Sequence, residues 1–315
     1  MTPELLEKYQ LPVYILAIGC GLGLGVLWPA VELLQVLLWP LLALLLYAVF
    51  TRVSLSHLRQ ALAEPRFLVA AITGNFLVLP LLVWGLVMML PDHPGLRLGV
   101  LLVLLVPCTD WFISFTHMGG GETRHAIVFS PLSLLLQMLL LPLYLWLILG
   151  QDLAVAMVHR EMLLAFGGLI LLPLLAAQIT RARAPAVLRE RMTWAPVPLL
   201  ALVVFLVAAT QVDQVHEATH LFTPLLLAYG SFLLFALVIA RLLAMVFRLP
   251  PRRGRVLAFS LGTRNSFVVL PLALALPAGL ELAVVAIVFQ SLVELFGMVL
   301  YLWWVPRVFT EEDGT

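Results

Sequence analysis

Two short polar clusters interrupt otherwise apolar runs, and each carries a charge. The first is Cys108-Thr109-Asp110 in LVLLVPCTDWFISFTHMGGGE; the second is Thr263-Arg264-Asn265 in LAFSLGTRNSFVVLPLALALPAG. A thiolate is a soft ligand that prefers soft ions to sodium or magnesium. Alone and buried, a cysteine is equally a small hydrophobe. Asp110 follows Pro107, and proline suits the first turn of a helix. A carboxylate there is favoured by the helix dipole, or simply caps orphan amides. Asp110, Ser114 and His117 fall at i, i+4 and i+7, on one helix face; His117 reaches the interface, where a solvated ring is the simpler reading. Arg264 is a permanent cation with three open roles. It receives an anionic solute, stands where a bound cation would stand, or is fixed in an ion pair with Asp110 or Glu294. Asn265 can coordinate an ion or hydrogen-bond a hydroxyl.

A third feature is Glu294 in VFQSLVELFG, with Gln290 one turn before it. A carboxyl group inside an apolar helix can carry a proton, or can pair with Arg264 or Arg241. Asn75 in ITGNFLVLP, with Ser130 and Gln137 further on, would line the same cavity. The chain shows no metal-ligand spacing, no phosphate loop and no nucleophile elbow, so no cofactor or metal is expected. The histidines lie mostly in loops, which disfavours an intramembrane enzyme. No soluble signalling or ATP-hydrolysing domain is visible, so a pump would need a separate ATPase subunit.

The elements that must position these residues are membrane spans. Of 315 residues, 63% are hydrophobic and 11% charged, with a mean hydropathy of +1.09. A soluble domain carries about 25% charged residues, so the lipid bilayer is the solvent for most of this surface. The net charge of +1 marks no basic patch for nucleic acid. Cys20 and Cys108 both lie in apolar runs and do not form a disulfide framework. The start, MTPELLEKYQ, lacks the positive flank of a cleavable signal. Crossing the hydrocarbon takes about 20 apolar residues. Ten such stretches are expected, at 11–28, 31–50, 67–90, 96–117, 123–149, 162–179, 194–211, 221–247, 256–277 and 281–305.

Arginine orients them. Loops after even-numbered spans hold Arg52, Arg59, Arg66, Arg124, Arg181, Arg183, Arg189, Arg191, Arg248, Arg252, Arg253 and Arg255; loops after odd-numbered spans hold Arg97 and Arg160. The positive-inside bias puts both termini in the cytoplasm of a multi-pass protein of the cell's inner (plasma) membrane. The two broken spans are the fourth of the first five and the fourth of the second five. Five is odd, so the halves, about 11–150 and 162–305, would have inverted topology. Interrupted spans at matching places point to a transport site at the bilayer midplane, and buried charges there are usually functional. The expectation is one all-α polytopic domain over 1–315 that moves a small solute. Interhelical packing by polar residues is the alternative for the breaks. Homo-oligomerisation stays open.

These segments resemble a known family. PCTDWFISFTHMGGGE looks like a motif of the arsenite efflux permeases, in which a cysteine is followed 14 positions later by an acidic residue, here Cys108 and Glu122. NFLVLPLL looks like their asparagine-bearing third span, and AVVAIVFQSLVELFGMVLY like their last, with Glu294 on its glutamate. SLGTRNSFVVLPLALAL is similar to these permeases and to the wider bile acid/sodium symporter superfamily. The resemblance implies two inverted five-helix repeats, a panel and a core domain, and broken helices crossing at spans four and nine. It further implies arsenite leaving in exchange for protons, with roles for Cys108 and Glu294; Thr109, Asp110, Arg264, Asn265 and Asn75 would shape the site. Bile acid symporters hold sodium with residues whose matching positions here are Ser260, Arg264, Phe112 and Ile113, so sodium coupling is not expected. A sodium-independent carrier of an organic anion, with Arg264 receiving its carboxylate, is the alternative.

Overall fold

In the computed structural model, residues 10–53, 64–157, 166–185, 192 and 194–310 are described. Arg59, Arg160, Arg189 and Arg191, and the first residues of the expected sixth span, lie outside them. Among the described residues the fold is all helical, without strands. Helix α1 is Gln10–Leu27. The chain turns at Trp28-Pro29, runs through a 3₁₀ segment, Pro29–Leu37, and continues as α2, Leu38–Arg52. Next come α3 (Pro65–Thr73), one π-helical turn (Gly74–Val78) and α4 (Leu79–Met88). Helices α5 (Pro94–Leu104) and α6 (Trp111–Met118) are short, and α7 (Thr123–Met157) is long. A second π turn, Phe166–Leu171, leads into α8, Leu172–Arg183. The remainder is α9 (Pro196–Thr210), α10 (Val212–Glu217), α11 (Phe222–Val246), α12 (Pro251–Gly262), α13 (Ser266–Leu274) and α14 (Leu282–Val308). Proline opens α3, α5, α9 and α12, where its missing N–H would have no intrahelical partner.

Among the described residues, six helical stretches are long and apolar enough to cross a membrane: Gln10–Leu27, Leu33–Arg52, Pro65–Met88, Thr123–Ile148, Val212–Val246 and Leu282–Val308. Pro94–Leu104 and Pro196–Thr210 are shorter apolar helices. Their outer faces carry large bare hydrophobics such as Leu27, Leu33, Met89 and Leu139. Only 17% of the Gln10–Leu27 stretch is buried within the protein. Water would penalise such a surface; lipid would not. Helix α7 runs past the expected end at 149 to Met157 because QDLAVAM continues with good helix formers.

The helices sort into two bundles. In the first, α9 packs along α1 and α2, and α8 along α2. In the second, α14 packs on α5, α11, α12 and α13, while α12 also touches α3, α6 and α7. Glycines bring the backbones close. Gly21 and Gly25 of α1 lie against the α9 backbone at Phe205 and Ala209, and Gly99 of α5 lies against Ala283 of α14. Where lipid is as apolar as leucine, this close approach replaces the hydrophobic effect as the source of helix association.

Candidate functional site

The second bundle contains two interrupted helices, and their breaks meet. Helix α5 ends at Leu104 and α6 starts at Trp111; α12 ends at Gly262 and α13 starts at Ser266. The two extended connections pair as a short antiparallel bridge between Pro107 and Arg264. The Cys108 N–H donates to the Thr263 carbonyl at 3.1 Å, and the Asn265 N–H donates to the Val106 carbonyl at 2.8 Å. These bonds satisfy backbone groups that a break inside the apolar layer would otherwise leave bare. The bridge fixes Cys108, Thr109, Arg264 and Asn265 together, all buried.

Arg264 has a definite address. Its Nη2 donates to the carbonyls of Leu261 at 2.6 Å and Ser260 at 3.3 Å, and to Asn75 Oδ1 at 3.0 Å. Its Nη1 donates to the Leu104 carbonyl at 3.3 Å. Its Cζ lies 5.1 Å from the centre of the Phe232 ring. The C-terminal ends of α5 and α12, each the negative pole of a half-helix, thus converge on one cation. Asn75 is carried in by the first π turn and also donates to Ser260 Oγ at 3.0 Å. π turns inside α-helices are frequent at functional sites.

Glu294 takes the other side of Arg264. Its Oε2 accepts the Arg264 backbone N–H at 2.8 Å and Gln290 Nε2 at 2.7 Å. Gln290 Oε1 accepts from Ser266 Oγ at 2.8 Å. The second carboxylate oxygen, Oε1, is buried with no protein partner. Arg264 is therefore held to Glu294 through its main chain, while its guanidinium binds carbonyls and an amide. Arg241 lies over the Phe309 ring.

Asp110 pairs elsewhere. Arg52 Nη1, at the end of α2, donates to both its carboxylate oxygens at 3.2 Å. Asp110 occupies the N-cap position of α6, but its side chain makes no cap hydrogen bond. Asn265 does cap: its Oδ1 accepts the Val268 N–H, and its Nδ2 donates to Thr109 Oγ1 at 3.3 Å. Ser130 Oγ of α7 donates to the Thr109 carbonyl at 2.5 Å. Ser114 is half-buried and His117 exposed, so their shared face leads away from the crossing. Gln137 is buried with both amide atoms unpartnered, as is the Ser133 hydroxyl; neither joins the hydrogen-bonded network. Glu122 lies off the crossing, bonded to Arg253 Nε at 3.1 Å and 3.3 Å from His125 Nδ1.

Four participants escape a sequence reading: Arg52 as a partner of Asp110, Phe232, and the carbonyls of Leu104 and Leu261. Arg52 alone had a signal, since a buried Asp110 needs a cation. Among the described residues no cluster of histidine, cysteine and acidic groups could hold a metal. The arrangement brings a thiol, a guanidinium and a carboxylate with one unpartnered oxygen into one buried region. No curated protein matches the chain. The model of the sodium bile acid symporter family matches residues 39–218, a stretch that includes Cys108, Thr109 and Asp110. That match covers more than half of a chain already seen to be built of apolar helices, so the chain belongs to the sodium bile acid symporter family, a family of membrane transporters.

Proposed function

We propose that this chain is a secondary active transporter whose solute binds at the crossing of the two broken helices, and that it exports arsenite or a related small oxyanion or neutral hydroxide in exchange for protons. The observation that carries this reading is the placing of a buried thiol, Cys108, on the bridged backbone that also holds Arg264 against Glu294. Trivalent arsenic is soft and bonds sulfur readily. Cys108 touches the solute, Glu294 carries the proton on its unpartnered oxygen, and Thr109, Asp110, Arg264, Asn265 and Asn75 shape the site. Ser130 and Gln290, bonded to the Thr109 carbonyl and to Glu294, complete its polar lining, while Ser114 and Gln137 lie outside the network. The resemblance of the PCT segment and of the last span to arsenite permeases supports the same assignment.

Sodium has no part in this cycle. Three carbonyls and an amide oxygen, the sort of oxygen set that suits an alkali cation, are engaged by the Arg264 guanidinium. The halves, about 11–150 and 162–305, are inverted five-helix repeats, ten spans in all, with both termini cytoplasmic in the inner membrane. One bundle rocks against the other about the midplane site.

A second reading, a sodium-independent organic-anion carrier, is favoured by one observation. A cavity of about 240 Å³ lies between the bundles, lined by Ile18, Leu22, Val207, Phe222, Val288 and Leu292 among others, with Gln211 the one polar residue in its lining. It suits the body of an amphipathic solute better than arsenite.

The test is arsenite retention in cells stripped of arsenic exporters, with the unmutated chain, Cys108→Ala and Glu294→Gln in parallel. The native chain lowers retention and each variant loses the effect. No protection by the native chain sinks the arsenite assignment, and protection surviving both substitutions sinks the mechanism. Replacing sodium by choline in vesicles leaves the rate unchanged.

A further inference from the structure

The ion pair between Arg52 and Asp110 joins the two bundles. Arg52 ends α2, which packs with α8 and α9; Asp110 opens α6, which packs with α7 and α12. The side chains are 14% and 7% exposed, so the pair is largely out of water. A second contact between the bundles lies beside it. Tyr14 of α1 stacks on Trp111, the residue after Asp110, with centroids 6.2 Å apart and planes 10° from parallel. Trp111 also presents its ring to Phe267 of α13, with centroids 4.9 Å apart. An ion pair and a ring stack therefore grip the first residues of α6, directly after Cys108. Elsewhere along the boundary α13 meets α2 and α14 meets α1, and beside the α14 contact the packing is hollow. There the apolar cavity separates Ile18 and Leu22 of α1 and Val207 of α9 from Val288 and Leu292 of α14.

These contacts sort by end. Tyr14 lies near the start of α1 and Arg52 at the end of α2, the end from which the arginine-rich loops project. Ile18 and Leu22 lie further along α1, and the opening turns of α14 face them. The boundary is thus held by charge and stacked rings at the arginine-rich end, and encloses an apolar cavity towards the other. We infer that Arg52–Asp110, backed by Tyr14–Trp111, is a latch that closes the path from the crossing to the arginine-rich end. An ion pair in a dry boundary is strong while made, and comes apart only when water reaches both charges. It therefore has two states, closed and dry or parted and wet, as a gate on a rocking boundary requires. This inference rests on the transporter reading for its purpose, though not for its geometry.

Cys108 is a reporter of the latch, 4% exposed and two residues from Asp110. In a Cys20→Ser background it is the only cysteine, since the chain has two. Vesicles of both orientations are treated with a membrane-impermeant methanethiosulfonate, and the rate of Cys108 modification is read by mass. Arg52→Ala and Asp110→Asn each raise the rate from the arginine-rich end at least tenfold and leave the rate from the other end within twofold. The double exchange Arg52→Asp with Asp110→Arg returns it towards the native rate. Arg97→Ala, which removes an exposed pair with Asp92, leaves both rates unchanged. Native rates in the single variants, or a rise equal from both ends, overturn the latch. Should Asp110→Asn fail to assemble, Tyr14→Ala loosens the same end with both charges in place, and a native rate there also overturns it. The measurement uses no solute, so it succeeds or fails independently of arsenite transport.

Discussion

Glu294 is the residue on which the proposed coupling turns. One of its carboxylate oxygens holds the Arg264 N–H and Gln290, and the other is buried without a hydrogen-bond partner. Glu294→Gln keeps an oxygen for the Arg264 N–H but cannot exchange a proton. The variant should assemble with a thermal transition within a few degrees of native, while proton-coupled efflux falls at least tenfold. Flux at the native level with a dissipating pH gradient would place the proton elsewhere. Arg264 makes a sharper stability prediction. Arg264→Ala leaves the acceptors of Leu104, Ser260, Leu261 and Asn75 without their donor, at a cost of about 1–3 kcal/mol for each acceptor left unsatisfied. The variant should melt well below the native chain. Added sodium or lithium, inert towards the native protein, should raise that melting point by entering the vacated oxygens. Arg264→Lys does not substitute, because a point charge cannot reach the same fork of acceptors. At this scale the sequence marked Cys108, Thr109, Arg264, Asn265, Asn75 and Glu294, which lie together in the structure, but not their partners. Whether Arg264 faced a solute, Asp110 or Glu294 stayed open, because backbone carbonyls leave no mark on a sequence. Arg52 counted only as a topological charge, since its carboxylate lies 58 positions away.

At the scale of elements, the breaks in the fourth and ninth expected spans were readable. Pro107 and Gly262 punctuate apolar runs, and a polar triplet follows each closely. What could not be read was that the breaks pair as a bridge, a contact set by the placing of whole helices. The π turn at Gly74–Val78 was equally hidden, because GNFLV differs little from a helical stretch. The approach of α5 to α14 yields a prediction of its own. A Cβ on Gly99 would come within 2.7 Å of the Ala283 Cα. Gly99→Val should therefore cost about 1–3 kcal/mol by overpacking, read as a lower melting temperature in detergent. Gly85, which has nothing within 4 Å of that position, should accept alanine without loss.

The whole molecule is a membrane protein because its helices turn large apolar side chains outwards, Leu, Val, Trp, Met and Phe among them. That much was evident from composition. The division into two bundles was expected only from resemblance, since helices facing lipid and helices facing each other look alike in sequence. The arginine distribution makes a prediction at this scale. Single cysteines placed at 92 and at 250, in a Cys20→Ser, Cys108→Ala background, should react with an impermeant maleimide from opposite sides of the membrane. The cysteine at 250 should react from the cytoplasmic side; the same side for both would undo the ten-span arrangement. A last consequence concerns current. The guanidinium of Arg264 is covalently part of the bundle whose half-helix ends it neutralises, so it returns to its starting place with that bundle. A carrier of the proposed kind would then translocate, per turnover, only the charge of its solute and its proton. Exchange of neutral arsenous acid for one proton would register as one elementary charge, and its reversal potential would be blind to sodium.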